Sequence, residues 1–271
     1  MNAQRRALAL ASQSLLATAC LACATMAAGC EPDASETHEP GETPGPGGST
    51  DPGGDPGGGG GNDDGNTGET FDPASQTGVV RDSEWRVCNT QEIVSNPQIE
   101  ARVDGLLAPL TDDELDLYKK INAAREEAGL HAIPLSPTLT AVARTHAWDS
   151  NATESLDDGC NMHSWSQDIG VWTPFCYTAD HAQMAQMHRK PRDLFGFEAD
   201  GYENSSWAWP TNNASIAFEG WMNSSGHRDV ILNQGIWASQ DWHGIGIAID
   251  REYAHLWVSA CADGALFPRT R

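Results

Sequence analysis

Apolar positions recur at helical spacing along residues 111–129, TDDELDLYKKINAAREEAG, with Leu115, Tyr118 and Ile121 on one face and charge on the other. Thr111 and Glu114 form a capping box, acids fill the first turn, and Gly129 falls where a C-terminal stop is expected. A second helix is expected from Ser136-Pro137, N-cap then first helical residue, with Leu139, Val142, Ala143 and His146 keeping the period. A third runs from Asn213 through Ile216, Phe218, Trp221 and Met222 and is expected to stop near Gly226. Then the period changes. In HGIGIAID, residues 243–250, isoleucines alternate with glycine and alanine, and HLWVSAC follows at 255–261, so the two runs read as an antiparallel hairpin. Helices first and strands last indicate an α+β fold with helices packed on an antiparallel sheet.

Composition divides the chain. Residues 1–29 carry only Arg5 and Arg6 as charges, then an Ala/Leu-rich stretch that closes with Ala27-Ala28-Gly29 before Cys30. This has the layout of a secretory signal peptide, and the small residues before Cys30 resemble a bacterial lipobox, which makes Cys30 the expected lipidation site. An uncleaved membrane anchor is the alternative, and both place the chain outside the cytoplasm. Residues 30–78 are expected to be a lipidated cysteine followed by a solvated spacer, because eleven Asp or Glu, no Lys or Arg and runs of Gly and Pro leave little apolar surface to bury. Residues 79–271 then form one domain, whose excess of acids disfavours nucleic acid and anionic lipid as partners. Cys88, Cys160, Cys176 and Cys261 remain in an exported domain, so two disulfides are expected. Of the three possible pairings, Cys160–Cys176 closes a short loop and Cys88–Cys261 staples the domain's ends.

Candidate chemistry lies beside these elements. His163 in CNMHSW, Glu203 in DGYENSSW, Glu219 on the third helix and His227 just past it supply nitrogen and oxygen donors suited to zinc. The plain alternatives are a helix-end histidine and solvated glutamates. His181, Met184, Met187 and His188 offer soft donors at helical spacing that would suit copper, or else a Met-lined packing face.

In order, INAAREEAGLHAIPLSPTLTAVARTHA, CNMHS, GYENS, AFEGWMNSSGHRDVILN, HGIGIAID and HLWVS resemble the CAP or SCP-like superfamily across residues 112–262. The resemblance implies a CAP-type α-β-α sandwich, with an antiparallel sheet between helical layers and a cleft lined by two histidines and two acids. By position these are His163, Glu203, Glu219 and His227, a set that binds divalent metal in some members, zinc first among them. Glu203 or Glu219 would be the base if the site were catalytic. Tyr202, Asn204, Trp221 and His146 are the expected cleft-lining residues.

Tyr202 stands where the family normally has glycine, and the 39 residues between His163 and Glu203 form a longer insertion than usual, expected beside the cleft as a lid. No reaction is established for the family. The leading expectation is therefore a surface-tethered binding module that receives an extracellular peptide, glycan or lipid. A metal-dependent peptidase or esterase using the same four residues comes second, and lipid or sterol carriage third.

Overall fold

The computed structural model describes residues 70–71, 76–79, 86–89, 93–153, 159–166, 170–264 and 267–268. The signal peptide, Cys30 and nearly all of the spacer lie outside these residues. The elements are α1 (Asp112–Glu127), α2 (Pro137–Ala152), α3 (Met184–His188), α4 (Lys190–Phe195), β1 (Tyr202–Trp207), α5 (Ala214–Asn223), α6 (Ser225–Ile231), β2 (Gly244–Asp250) and β3 (Tyr253–Ser259), with shorter turns and two-residue strands between them.

Local chemistry starts α1 and α2 as the sequence predicts. The Thr111 side chain accepts from the Glu114 amide while the Glu114 carboxylate accepts from the Thr111 amide. Ser136 accepts from the Leu139 amide with Pro137 in the first turn. Past α1, Gly129 adopts φ +77°, the left-handed region that glycine enters at least cost. Asn122 and Arg125 turn out to be structural: Asn122 bonds both the amide and carbonyl of Ile133, and Arg125 donates to the carbonyls of His131 and Ile231.

Two differences from expectation follow from tertiary contacts. DGYENSSW contains the strand β1, so the sheet has three antiparallel strands in the order β1-β3-β2, with β1 at a free edge. Asn and Ser disfavour strands in isolation, but here Asn204 donates to the His227 carbonyl of α6, Ser205 bonds His255 of β3 and Ser206 accepts from Asn212. The third helix breaks at Ser224, which has an extended backbone, φ −93° and ψ 121°, and Gly226 lies inside the helix that follows.

The sheet separates two cores. On one face, Leu139, Val142 and Ala143 of α2 pack with Trp165, Phe195, Ala248 and Trp257. On the other, Leu117 and Ile121 of α1 and Ala217 and Trp221 of α5 pack with Ile245, Ile247, Leu256 and Val258. This is the α-β-α sandwich. The isoleucine rows of β2 point into the second core, and its small residues admit α2 to close approach. At Gly246 a Cβ would lie 2.1 Å from the Leu139 carbonyl carbon and 2.3 Å from the Thr140 amide nitrogen.

Cys160 and Cys176 are disulfide-bonded. Cys261 is disulfide-bonded too, and Val87 pairs in register with Ala262, while the Cys88 side chain lies outside the described residues. The residues proposed for copper do not share a face: α3 begins only at Met184, which is 51% exposed, whereas Met187 is 5% exposed. His181 precedes the helix and bonds the Tyr177 hydroxyl.

Because the atoms facing Gly246 are backbone and cannot rotate away, Gly246→Ala is expected to cost about 1–3 kcal/mol or more. A urea midpoint within error of wild type would contradict the close packing of α2 on β2.

Candidate functional site: a histidine-ringed carboxylate at the edge of the sheet

Alternation along β1 sends Glu203 and Ser205 toward α2, and Asn204 toward α6. The register of β3 places His255 opposite Ser205 and on the same face. His146 comes down from α2, and His163 from the disulfide-closed loop. Their nitrogens converge on one carboxylate. Glu203 Oε1 lies 2.5 Å from His146 Nδ1 and 3.1 Å from His255 Nδ1, and Oε2 lies 2.9 Å from His163 Nδ1. The side chains of Glu203, His146 and His255 have no solvent exposure, whereas that of His163 is 18% exposed.

Hydrogen-bond roles fix the protons. The Ser164 carbonyl only accepts, so His146 Nε2, 2.9 Å away, carries hydrogen. A cation must then lie between His146 Nδ1 and the carboxylate, since two lone pairs at that distance would repel. In the metal-free protein it is a second proton, which makes a buried imidazolium–carboxylate pair. Burial opposes the charge on His146, but the Glu203 carboxylate overrides it and raises the histidine's pKa. Burial likewise opposes the Glu203 charge, and His146 and His255 together hold the carboxyl well below its usual range. His255 is pushed down to about 4 by burial and by the charge on His146, so it stays neutral. His163, donating from Nδ1 to Oε2, has Nε2 left for other contacts.

The insertion is a buttress for this centre. Trp165 stacks on His146 with ring centroids 4.3 Å apart, and His146 stacks on His255 at 4.2 Å. Tyr177 meets His163 edge-on. Lys190 Nζ lies 4.7 Å from the Trp165 ring and 5.0 Å from the Phe175 ring, and burial lowers its pKa to about 8.

His227 arrives from the opposite face of the sheet. Asn204 of β1 donates to its backbone carbonyl, and its Nδ1 bonds the Ser224 hydroxyl at 2.9 Å. Burial, and then the charge of His163, lower its pKa to about 4. The charge of His163 thus reaches His227.

The expected ligand set is accordingly divided. His163 and Glu203 are joined, His227 is their neighbour, and Glu219 stands exposed on α5 with no hydrogen bond or ion pair to it among the described residues. Three of the expected cleft-lining residues are buried. His146 is interior because it is the counter-ion of Glu203, Trp221 is buried and donates to the Ser205 carbonyl, and Asn204 is buried by its bond to His227. Tyr202 is half-buried among His188, Trp237 and Trp242. His255 escaped sequence reasoning altogether; its one signal was a histidine alternating with Trp257 on a β-rich run. Among the described residues, His146, Glu203 and His255 form a group that could hold a metal ion, their ligand atoms all within 4.8 Å of one another.

The model of the CAP family, the cysteine-rich secretory protein family, matches residues 118–259. This chain belongs to the CAP family. Two solved structures are similar to this CAP chain: a cysteine-rich secretory protein from Staphylococcus aureus subsp. aureus Mu50, with 18% identity, a TM-score of 0.37 and coverage of 55% of this chain and 38% of that one, and an extracellular protein containing a SCP domain from Bacillus anthracis str. Ames, with 17% identity, a TM-score of 0.38 and coverage of 56% and 44%. The matched region thus spans less than half the length of either structure. None of the curated proteins matches.

The depressed histidines make stability depend on pH. His255 and His227 titrate near 4 when folded and near about 6.5 when unfolded, so between these values the unfolded chain binds more protons. Stability of the metal-free protein therefore falls as pH drops from 6.5 toward 4, by up to about 1.4 kcal/mol per pH unit for each histidine. Glu203 adds a further loss below its unfolded pKa of about 4.3. His146 acts oppositely: its contribution is complete below about 6.5 and is lost as pH rises through its raised folded pKa. Denaturant unfolding of His227→Gln is expected to show a shallower acid slope than wild type, and an unchanged slope would contradict the assignment.

Proposed function

We propose that this CAP protein is an extracellular binding module, tethered to the cell envelope through Cys30 and held away from it by the acidic spacer. Its ligand, a peptide, glycan or lipid, is received at the free edge of β1 between His163 and His227. The observation that carries this reading is the state of Glu203: both its oxygens are engaged by histidines, so it is not available to take a proton from an attacking water. His163 and His227 are partly buried imidazoles, each with Nδ1 already engaged, His163 by Glu203 and His227 by Ser224.

That arrangement suits a divalent cation, zinc by its donor set. Ligating imidazoles are oriented by a bond at the other ring nitrogen, and here Glu203 serves His163 in that role. The His163 and His227 Nε2 atoms are the ligands proposed for this outer position, with Glu219 the exposed carboxylate nearest in sequence. A bound cation with open positions would bridge the protein to an oxygen of its ligand. Among the described residues no helix is long and apolar enough to cross a membrane. The acid excess disfavours nucleic acid.

Glu219 is the observation that favours a second reading, a metal-dependent hydrolase. It is an exposed carboxylate, without a partner among the described residues, on the helix that leads to His227.

Zinc titration tests both. His227→Ala is expected to weaken the outer site about tenfold or more relative to wild type, with secondary structure retained. No turnover of peptide or ester substrates is expected. Turnover that requires His227 and is lost in Glu219→Gln, with zinc retained, would establish the hydrolase instead.

A further inference from the structure

We propose a second, inner metal site in this domain, formed by His146 Nδ1, His255 Nδ1 and Glu203 Oε1, which holds a divalent cation of the zinc class for structure rather than for chemistry. It is distinct from the outer pair His163 and His227, and it goes beyond the binding reading.

Geometry carries the inference. Two imidazole nitrogens from different elements, one on α2 and one on β3, point at the same carboxylate oxygen of β1, at 2.5 and 3.1 Å. Ligand atoms of the three residues lie within 4.8 Å of one another, and the His146–Glu203 contact has only to open by a small side-chain movement to admit an ion with the roughly 2.0–2.2 Å bonds of zinc. The far nitrogens already have the partners that metal-bound histidines use. His146 Nε2 donates to the Ser164 carbonyl, and His255 Nε2 lies 3.3 Å from the Ser150 hydroxyl. Ser205 Oγ, 3.0 Å from His255 Nδ1, is placed to complete the shell. Glu203 Oε2 stays with His163, so one carboxylate serves both positions: Oε1 takes the inner cation while Oε2 orients the outer ligand.

Protons balance. On binding, His146 releases its Nδ1 proton to solvent, and His255 carries its single proton on Nε2, facing Ser150. The centre then holds a divalent cation, one carboxylate and two neutral imidazoles. Asp149, fully buried on α2 three residues from His146, supplies further negative charge close by. Because the three side chains have no exposure, no substrate reaches the ion. Its effect is to tie α2, β1 and β3 together beneath the outer site.

The probe is zinc alone, added to chelator-stripped His227→Ala protein, in which the outer site has lost one of its two imidazoles. The expected result is binding of one equivalent with about one proton released, read from titrations in two buffers, together with a raised Tm. His255→Gln in the same background is expected to weaken binding at least about tenfold. Absence of zinc binding by His227→Ala, or undiminished binding when His255→Gln is added, would overturn the proposal. If the double variant does not fold, X-ray absorption of zinc-loaded His227→Ala decides: two imidazoles in the first shell support the inner site, and one or none excludes it. Loss of ligand binding at the outer pair would sink the binding reading while leaving each of these outcomes unchanged.

Discussion

Three imidazoles share one buried carboxylate, and the rest of the site is arranged around that contact. Glu203 sits on the edge strand, His255 on the central strand, His146 on the helix that covers one face, and His163 in the disulfide-closed loop. A lone carboxylate at such depth would be strongly disfavoured, so its partners must be in place when the domain folds. Packing supports them: Trp165 stacks on His146, and the Lys190 ammonium lies over Trp165, so the insertion braces the centre from outside.

The same contact has consequences for function. The Glu203 carboxylate is engaged through both oxygens and holds His163 in one orientation. His227 reaches the edge of the sheet independently, carried by α6 and secured by Asn204. In the proposed binding reading the outer position is formed by these two imidazoles, His163 and His227. The inner group extends this logic, because the cation that must lie beside His146 Nδ1 is a proton or a metal ion, and the surrounding donors accommodate either.

Much of this was legible in the sequence where local chemistry decides the outcome. The capping box at Thr111 and Glu114, the Ser136-Pro137 start and the isoleucine alternation of β2 each act within a few residues, and the structure follows them. The motif order also pointed to the family and to the neighbourhood of His163, Glu203 and His227. What remained hidden depends on distant pairing. β1 carries Asn and Ser residues whose partners lie outside the strand, Asn204 bonding His227, Ser205 bonding His255 and Met162, and Ser206 bonding Asn212. His146 kept a helical period like any core residue, and His255 became meaningful only through its register with Ser205. Glu219 shared a motif with His227, yet the break at Ser224 separates their helices and leaves the carboxylate exposed.

The role of Glu203 as the anchor of the domain is open to one direct measurement, the unfolding free energy of Glu203→Gln against wild type in metal-free buffer at neutral pH. The substitution keeps the shape and removes the charge, so it leaves His146 without its counter-ion. A loss of about 3–5 kcal/mol is predicted, as for other broken buried ion pairs. A loss under about 1 kcal/mol, the range of an exposed pair, would contradict it.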